Sequence, residues 1–355
     1  MSAAPLAGIR VADFSLRLPG PYATRLLCDL GAEVVKVETP RGDPIRGFLP
    51  GVYEFLNRGK QVRALDLKSE EGLAAAHELI AASDVVLEGF RPGVAARLGI
   101  GFEASAELRP GLIYCSLSGY GQNGPERDRP GHDIGYEASG GAYAGVLAIG
   151  DPPAPPHVAI GDLGGAIFAA LSICAALVGR REEDAEASWI DVSMQDAVVH
   201  ISATHWGRYL RDGVEPGPED LASYAPGAGF FETADGHFVA LASVEDEFWA
   251  GLCRALGRDE LVATPYDTHP GRMEHRGELR AALAAAISLI SVEELERRLQ
   301  AEDVPVDRVR TAAEVCADPH LLERGIIRSL GDGLHLDFPA LIGGQRPGVP
   351  GAVAR

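Results

Sequence analysis

The sequence predicts an α/β protein: a large Rossmann-like domain on a mostly parallel sheet, with a smaller α+β domain inserted in it. Three observations carry this. Strand-like and helical runs alternate through the first half of the chain, the pattern of a parallel sheet with helices on both faces. After Gly213–Gly217 (GVEPG), which reads as a linker, the pattern changes to a hairpin followed by helices. The chain has 355 residues, 46% hydrophobic and 23% charged, enough to bury a core and to make about two domains.

In order, Ile9–Phe14 reads as a buried strand. Pro21 suits a first helical position, and a helix over Tyr22–Leu30 follows it, ended by Gly31. Glu33–Val37 is the next strand, completing a right-handed βαβ unit. The alternation continues with strand Val62–Leu67, helix Glu71–Ala82, strand Asp84–Leu87, a short helix over Val94–Leu98 and strand Leu112–Leu117. Residues 121–161 are rich in Gly and Pro. A long apolar helix spans about Leu163–Val178; the charged loop Arg181–Glu186 leads to strand Trp189–Ser193 and a helix reaching about Leu210. Phe230–Thr233 and His237–Ala242 flank Ala234-Asp235-Gly236, a hairpin signal. Helices are expected over Glu247–Leu256, Glu278–Ile290 and Val292–Gln300. From Ala312 the chain reads as irregular, then strand-like at Leu334–Phe338. The expected domains are therefore 1–212 with 312–355, and 213–311.

Charge narrows the function. Lys and Arg number 32 against 51 Asp and Glu, a net charge of −19. That argues against nucleic acid or an anionic membrane as partner. A small anionic ligand needs only a local basic cluster. The five cysteines (28, 115, 174, 253, 316) include no CxxC pair, so neither a disulfide framework nor a zinc site is expected, and a cytoplasmic location fits. The first residues, MSAAPLAGIRVADF, lack the pattern of a signal peptide. No stretch of ~18 apolar residues is free of charge and glycine, so no membrane span is expected. The first β–α turn, Leu16 to Pro21, lacks the GxGxxG that cradles a dinucleotide pyrophosphate, and no GxxxxGK[ST] occurs.

Three residues stand out. Asp162, in IGDLGG before the apolar helix, reads either as an N-cap or as a nucleophile or base with glycines admitting a ligand. His132, in PGHDIGY, reads as a structural hydrogen-bonding residue or as a titrating group exposed to a cleft, with Asp133 as an orienting partner. Glu245, after the hairpin, reads as a helix-start carboxylate or a site residue. The basic residues Lys36, Arg41, Arg58, Lys60, Arg63, Lys68, Arg91 and Arg97 are dense for an acidic chain, and several fall near strand ends. They read either as a solvated face or as a site for a phosphate-bearing ligand.

Eleven ordered segments together resemble one family. They include PLAGIRVADFS, LPGPYATRLLCDLGAEVVKVETP, FLNRGK, ALDLKSEEG, VLEGFRPGVAARLGIG, RPGHDIGYEASGG, GDLGGA and FFETADGHFVAL, within Pro5–Ile327. The resemblance is to the family III CoA-transferases, which include the α-methylacyl-CoA racemases. It implies an interlocked homodimer and an acyl-CoA substrate, with CoA present only as part of that substrate and no metal or other cofactor.

The resemblance gives Asp162 two possible chemistries. In transferases this residue attacks the thioester and passes through a mixed anhydride to an aspartyl–CoA thioester. In racemases it is one of two proton-transfer groups on opposite faces of the α-carbon, the other being the histidine of a GHD segment, here His132. The glutamate after the ADG hairpin, here Glu245, supports that histidine from the other subunit. Three features favour the racemase chemistry: His132, Glu245 and the lack of a GGGGQ-type loop. The expected activity is therefore isomerisation of a 2-methylacyl-CoA through an enolate, with CoA transfer between carboxylic acids as the alternative. Backbone N–H groups at Asp162 and Gly164 are expected to hold the enolate oxygen. The expected CoA-binding positions are Thr39, where racemases carry a basic residue, with Arg58, Lys60, Leu65, Leu67, Lys68, Arg91, Arg97, Gly131 and Tyr136.

Overall fold

Six parallel strands form the main sheet: β1 (Arg10–Phe14), β2 (Glu33–Glu38), β3 (Gln61–Ala64), β4 (Val85–Glu88), β5 (Ile113–Ser118) and β6 (Ser188–Ser193). Their order in the sheet is β3-β2-β1-β4-β5-β6, and every pairing is parallel. The computed structural model describes residues 4–154, 157–180, 186–217, 220–221, 224–330 and 333–348. All but the last residue of the charged loop Arg181–Glu186, and the C-terminal end of the expected large domain, lie outside them.

Side chains alternate across a strand, so the sheet is covered on both faces. Val11, Val85, Leu87, Ile113 and Cys115 face one way, against Ala23 and Leu27 of the helix Pro19–Asp29 and Ala166, Ala169 and Ile173 of the long helix Ile160–Gly179. Ala12, Phe14, Val86 and Tyr114 face the other way, against Ala76 and Ile80 of the helix Glu70–Ala81. β4 and β5 are buried throughout, as interior strands of a doubly covered sheet must be.

The long helix settles its packing with small residues. Gly161, Gly164, Gly165, Ala166, Ala169 and Ala170 form its buried side. A Cβ on Gly165 would come 2.7 Å from Met194 Cγ, so only glycine permits this approach. The helix is long and apolar enough to cross a membrane by length and composition, but here its small-residue side lies against the sheet core.

The strand order reverses between β1 and β4. In open α/β sheets, ligands bind beyond the carboxyl ends of the strands at such a switch point.

The chain divides into two compact units: 1–143 with 154–203 and 316–355, and 144–153 with 204–315. The sequence placed the boundaries at 212/213 and 311/312. The second unit has its own core around Trp249, Leu252, Leu279, Leu283, Leu295 and Leu299. Its three-stranded antiparallel sheet is β7 (Ala228–Glu232), β8 (Phe238–Ala242) and β9 (Val306–Arg308). The expected ADG hairpin joins β7 to β8, with Gly236 at φ 77°. Asp235 accepts the Val292 N–H at 3.2 Å and so starts the helix Val292–Ala301.

Four local expectations change. The first helix starts at Pro19, not after Pro21, because Pro19 already satisfies the first position. The Gly/Pro-rich stretch 121–161 holds two short helices, Asp133–Ser139 and Ala144–Ala148. The helix expected to reach Leu210 is two, Met194–Ser202 and Gly207–Asp212. The irregular tail contains helices Ala312–Cys316 and Pro319–Glu323 and a hairpin of Ile327–Leu330 with Gly333–Leu336.

Candidate active site

Asp162 is not the N-cap. The long helix begins two residues earlier, with Ala159 as its cap residue, and Asp162 sits in the first turn. The capping comes from the helix Asp133–Ser139 instead. Asp133 Oδ1 accepts the Asp162 N–H at 2.9 Å, and Glu137 Oε1 accepts the Ile160 N–H at 3.1 Å. Tyr143 Oη in turn donates to Glu137 Oε2 at 2.5 Å.

This arrangement sets the acidity of Asp162. A helix N-terminus ordinarily favours a carboxylate, but here two of its orphan amides are already engaged. Burial comes first, and the charges of Asp133 and Glu137 add to it; Arg17 pulls the other way. The net result pushes the Asp162 carboxyl up to about 7. Burial and the neighbouring Glu137 also push Asp133 up. Asp162 is thus a half-buried carboxylate at the edge of ionisation near neutrality, a property that clusters at functional sites.

The expected enolate donors are not available. The Asp162 amide is bound to Asp133, and Gly164 lies far enough into the helix for its amide to point at a helical carbonyl. His132 is the cap residue of the Asp133–Ser139 helix, exposed, with no capping bond from its side chain. The charges that act on Asp162 are those of Asp133, Glu137 and Arg17. Glu245 belongs to the second unit, where it is the exposed cap residue of the helix Asp246–Leu256, again without a side-chain capping bond.

The basic cluster splits in two. Lys36, Arg58 and Lys60 are buried and paired. Lys60 is fully enclosed; its Nζ donates to Pro21 O and Thr24 Oγ1 at 2.8 Å, to Asn57 Oδ1 at 3.2 Å and to Asp13 Oδ2 at 3.3 Å. Burial pushes Lys60 down to about 8. Burial alone would raise Asp13, but Lys60, Lys36, Ser15 and Thr24 together hold it below the usual carboxylate range. Arg58 donates to Asp337 Oδ1 at 2.9 Å and binds the C-terminal segment. The expected CoA contacts through Arg58 and Lys60 are therefore corrected: their charges face the interior because the β1–helix turn and the C-terminal segment fold over them.

The second group faces out. Arg17 follows β1, Arg41 follows β2, Lys68 follows β3, and Arg91 and Arg97 follow β4. All are exposed, and among the described residues none has a side-chain hydrogen bond or ion pair. A row of uncompensated cations along the carboxyl edge suits a polyanionic ligand.

The remaining expected positions vary. Thr39 is exposed, its Oγ1 bonded to Gly42 O at 3.3 Å. Leu65 gives its amide to Glu38 O at 2.9 Å, and Leu65 and Leu67 pack part of their side chains on the sheet core. Tyr136 is a packing residue rather than an open binding surface. Its ring lies edge-on to Tyr120, with centroids 5.3 Å apart, and in the core. Gly131 is needed for that ring: a Cβ there would stand 2.4 Å from Tyr136 Cε1.

Arg17, Asp43 and Glu137 escaped the sequence reading. Arg17 has φ 68°, a left-handed backbone that costs a non-glycine residue about 1 to 3 kcal/mol. The available signal was the turn itself, which puts Arg where nucleotide-binding turns carry glycine.

A family model described as CoA-transferase family III matches residues 6–343. The chain is 34% identical over 343 residues to succinyl-CoA–D-citramalate CoA-transferase of Chloroflexus aurantiacus, covering 92% of this chain and 84% of that one. It is 34% identical over 353 residues to a probable fatty acyl-CoA transferase of Mycobacterium tuberculosis, covering 93% and 89%. The crystal structure of a CAIB/BAIF family protein from Brucella suis superposes with a TM-score of 0.88 at 28% identity, covering 99% and 97% of the two chains. With the family model spanning nearly its whole length and named CoA-transferases among its relatives, the chain belongs to CoA-transferase family III.

Proposed function

We propose that the protein moves CoA between carboxylic acids, with Asp162 as the covalent nucleophile. The observation that carries this reading is the placement of Asp162: half-buried in the first turn of the long helix, its amide bound by Asp133 and its carboxyl held near 7. A carboxylate of raised basicity is a better nucleophile than an ordinary one. The names of the two relatives compared by sequence point the same way, since both are called CoA-transferases.

The steps balance without a redox partner. The Asp162 carboxylate attacks the thioester carbonyl, the C–S bond breaks, and a CoA thiolate leaves an acyl–aspartyl anhydride. The thiolate then attacks the Asp162 carbonyl and releases the donor acid as a carboxylate. The acceptor carboxylate attacks the resulting aspartyl thioester, and the thiolate, freed again, attacks the acceptor carbonyl and restores Asp162. CoA enters only as part of the substrate. In this reading Thr39, Lys68, Arg91 and Arg97 bind its nucleotide end.

One observation keeps the isomerase alternative: His132, exposed and without a capping bond, directly precedes the Asp133 that holds Asp162. Incubation with a 2-methylacyl-CoA in heavy water separates the two. The expected result is no α-deuteration with or without a free acid, and a new thioester once the acid is added. Deuterium at the α-carbon with no acid present overturns the transferase reading.

The proposal includes a homodimer in the cytoplasm. Ile167, Leu171 and Val178 make an exposed apolar row along the long helix, a surface a second copy of the chain would cover. Sedimentation equilibrium at micromolar concentration is expected to give twice the chain mass; a monomer removes this part of the reading.

A further inference from the structure

The backbone of Arg17 is held in place by a buried ion pair. Its N–H is bound by both oxygens of Asp43, at 3.2 and 3.0 Å. Asp43 is fixed by the fully buried Lys36, 3.0 Å away, and Lys36 also donates to Ser15 O at 2.8 Å, two residues before Arg17. Asp43 further caps the helix Pro44–Phe48 through the Ile45 N–H. An enclosed ion pair therefore sets the backbone of one turn. The result is a left-handed arginine at the carboxyl end of β1, beside the point where the strand order reverses.

Among the described residues the side chain so presented has no hydrogen-bond or ion-pair partner. The guanidinium is exposed and, among the described residues, meets neither an acceptor nor a carboxylate at pairing distance. The helix that follows the turn, Pro19–Asp29, packs against the long helix that carries Asp162. The Arg17 charge reaches Asp162 and acts against the repulsion from Asp133 and Glu137.

A transferase has a need that an isomerase lacks. Its second substrate is a free acid, which arrives as an anion in a chain of net charge −19, beside the carboxylates of Asp133 and Glu137. Without a local cation, that approach is repulsive. We propose that Arg17 docks the carboxylate of the free acid beside Asp162, and so governs affinity for the acid more than for the CoA thioester. This rests on the transferase reading above. Arg91 and Arg97, in the segment after β4, serve the CoA end instead.

The test uses the full chain with acetyl-CoA, succinyl-CoA and a 2-methylacyl-CoA, each with its own isotope-labelled free acid, and reads label exchange between acid and thioester. The variant of choice is Arg17→Gly, because glycine takes a positive φ without strain and keeps the turn. The KM for the acid is expected to rise at least about tenfold more than the KM for the thioester. Arg17→Lys is expected to recover part of the difference. Equal rises in the two KM values, or a glycine variant indistinguishable from wild type, overturn the role of Arg17 while leaving Asp162 chemistry in place. If the wild type exchanges none of the acids and gains no CoA mass on Asp162, the transferase reading falls, and this proposal with it.

Discussion

Asp162→Asn is expected to abolish CoA transfer and, at pH 8, to make the protein harder to unfold. The loss of turnover should be about a thousandfold or more, since the asparagine amide is not a nucleophile that can form the acyl bond. The gain in stability follows from the same environment. Asp162 ionises near 7 in the folded protein, against the ordinary 3.8, because it is buried beside Asp133 and Glu137. Between about pH 4 and pH 7 the folded state therefore binds more protons than the unfolded state, and stability falls as pH rises through that window. Above 7 the whole penalty is present. Asparagine removes the charge and keeps the shape, so the variant should melt higher than wild type at pH 8, with the gap closing towards pH 4. A variant that melts lower than wild type at pH 8 would show that Asp162 is a stabilising group and not a strained nucleophile. In the wild type, the first acylation step should rise with pH through about 7 and then level off, because only the ionised form attacks.

The sheet was legible in the sequence because burial on both faces leaves its mark: VADF, EVVKVE and DVVLE are continuous or nearly continuous apolar runs ended by loop residues. The hairpin was legible because Asp-Gly specifies its turn locally. The residues of the site were legible as identities, but not in their relations. Asp162 reads as a cap from its position before an apolar run; the group that does the capping, Asp133, stands 29 residues earlier on a helix of seven residues in a Gly/Pro-rich stretch. So short a helix carries little periodicity, and its placement depends on tertiary contacts. The basic cluster shows the same limit. A lysine in a sequence is a charge; whether it meets water or a carboxylate is decided by chain segments far away. Lys60 is enclosed by groups from positions 13, 21, 24 and 57, whereas Lys68, eight residues on, is exposed.

That contrast gives the second large effect. Lys60→Met is expected to cost about 3 to 5 kcal/mol, because it leaves the Asp13 carboxylate buried without its paired cation and with only the charge of Lys36 to offset it. Asp13 is the hub of the first turn: its oxygens also accept the Ser15 N–H at 2.9 Å and the Thr24 hydroxyl at 2.5 Å. With whole domains stable by only about 5 to 15 kcal/mol, such a loss removes much of the margin, and the variant should unfold at markedly lower denaturant. Lys68→Met is the matched control: exposed at the carboxyl edge of β3, it should leave the unfolding midpoint where it was and raise the KM for the acyl-CoA. A surface cation that binds the ligand acts through a charge that salt screens, and its removal is felt only when CoA is present. A buried one acts through the desolvated partner it leaves behind, and its removal is felt with or without ligand. Should Lys60→Met unfold like wild type and lose only acyl-CoA affinity, the division of the basic cluster into a scaffold and a binding edge is wrong, and Lys60 returns to the site.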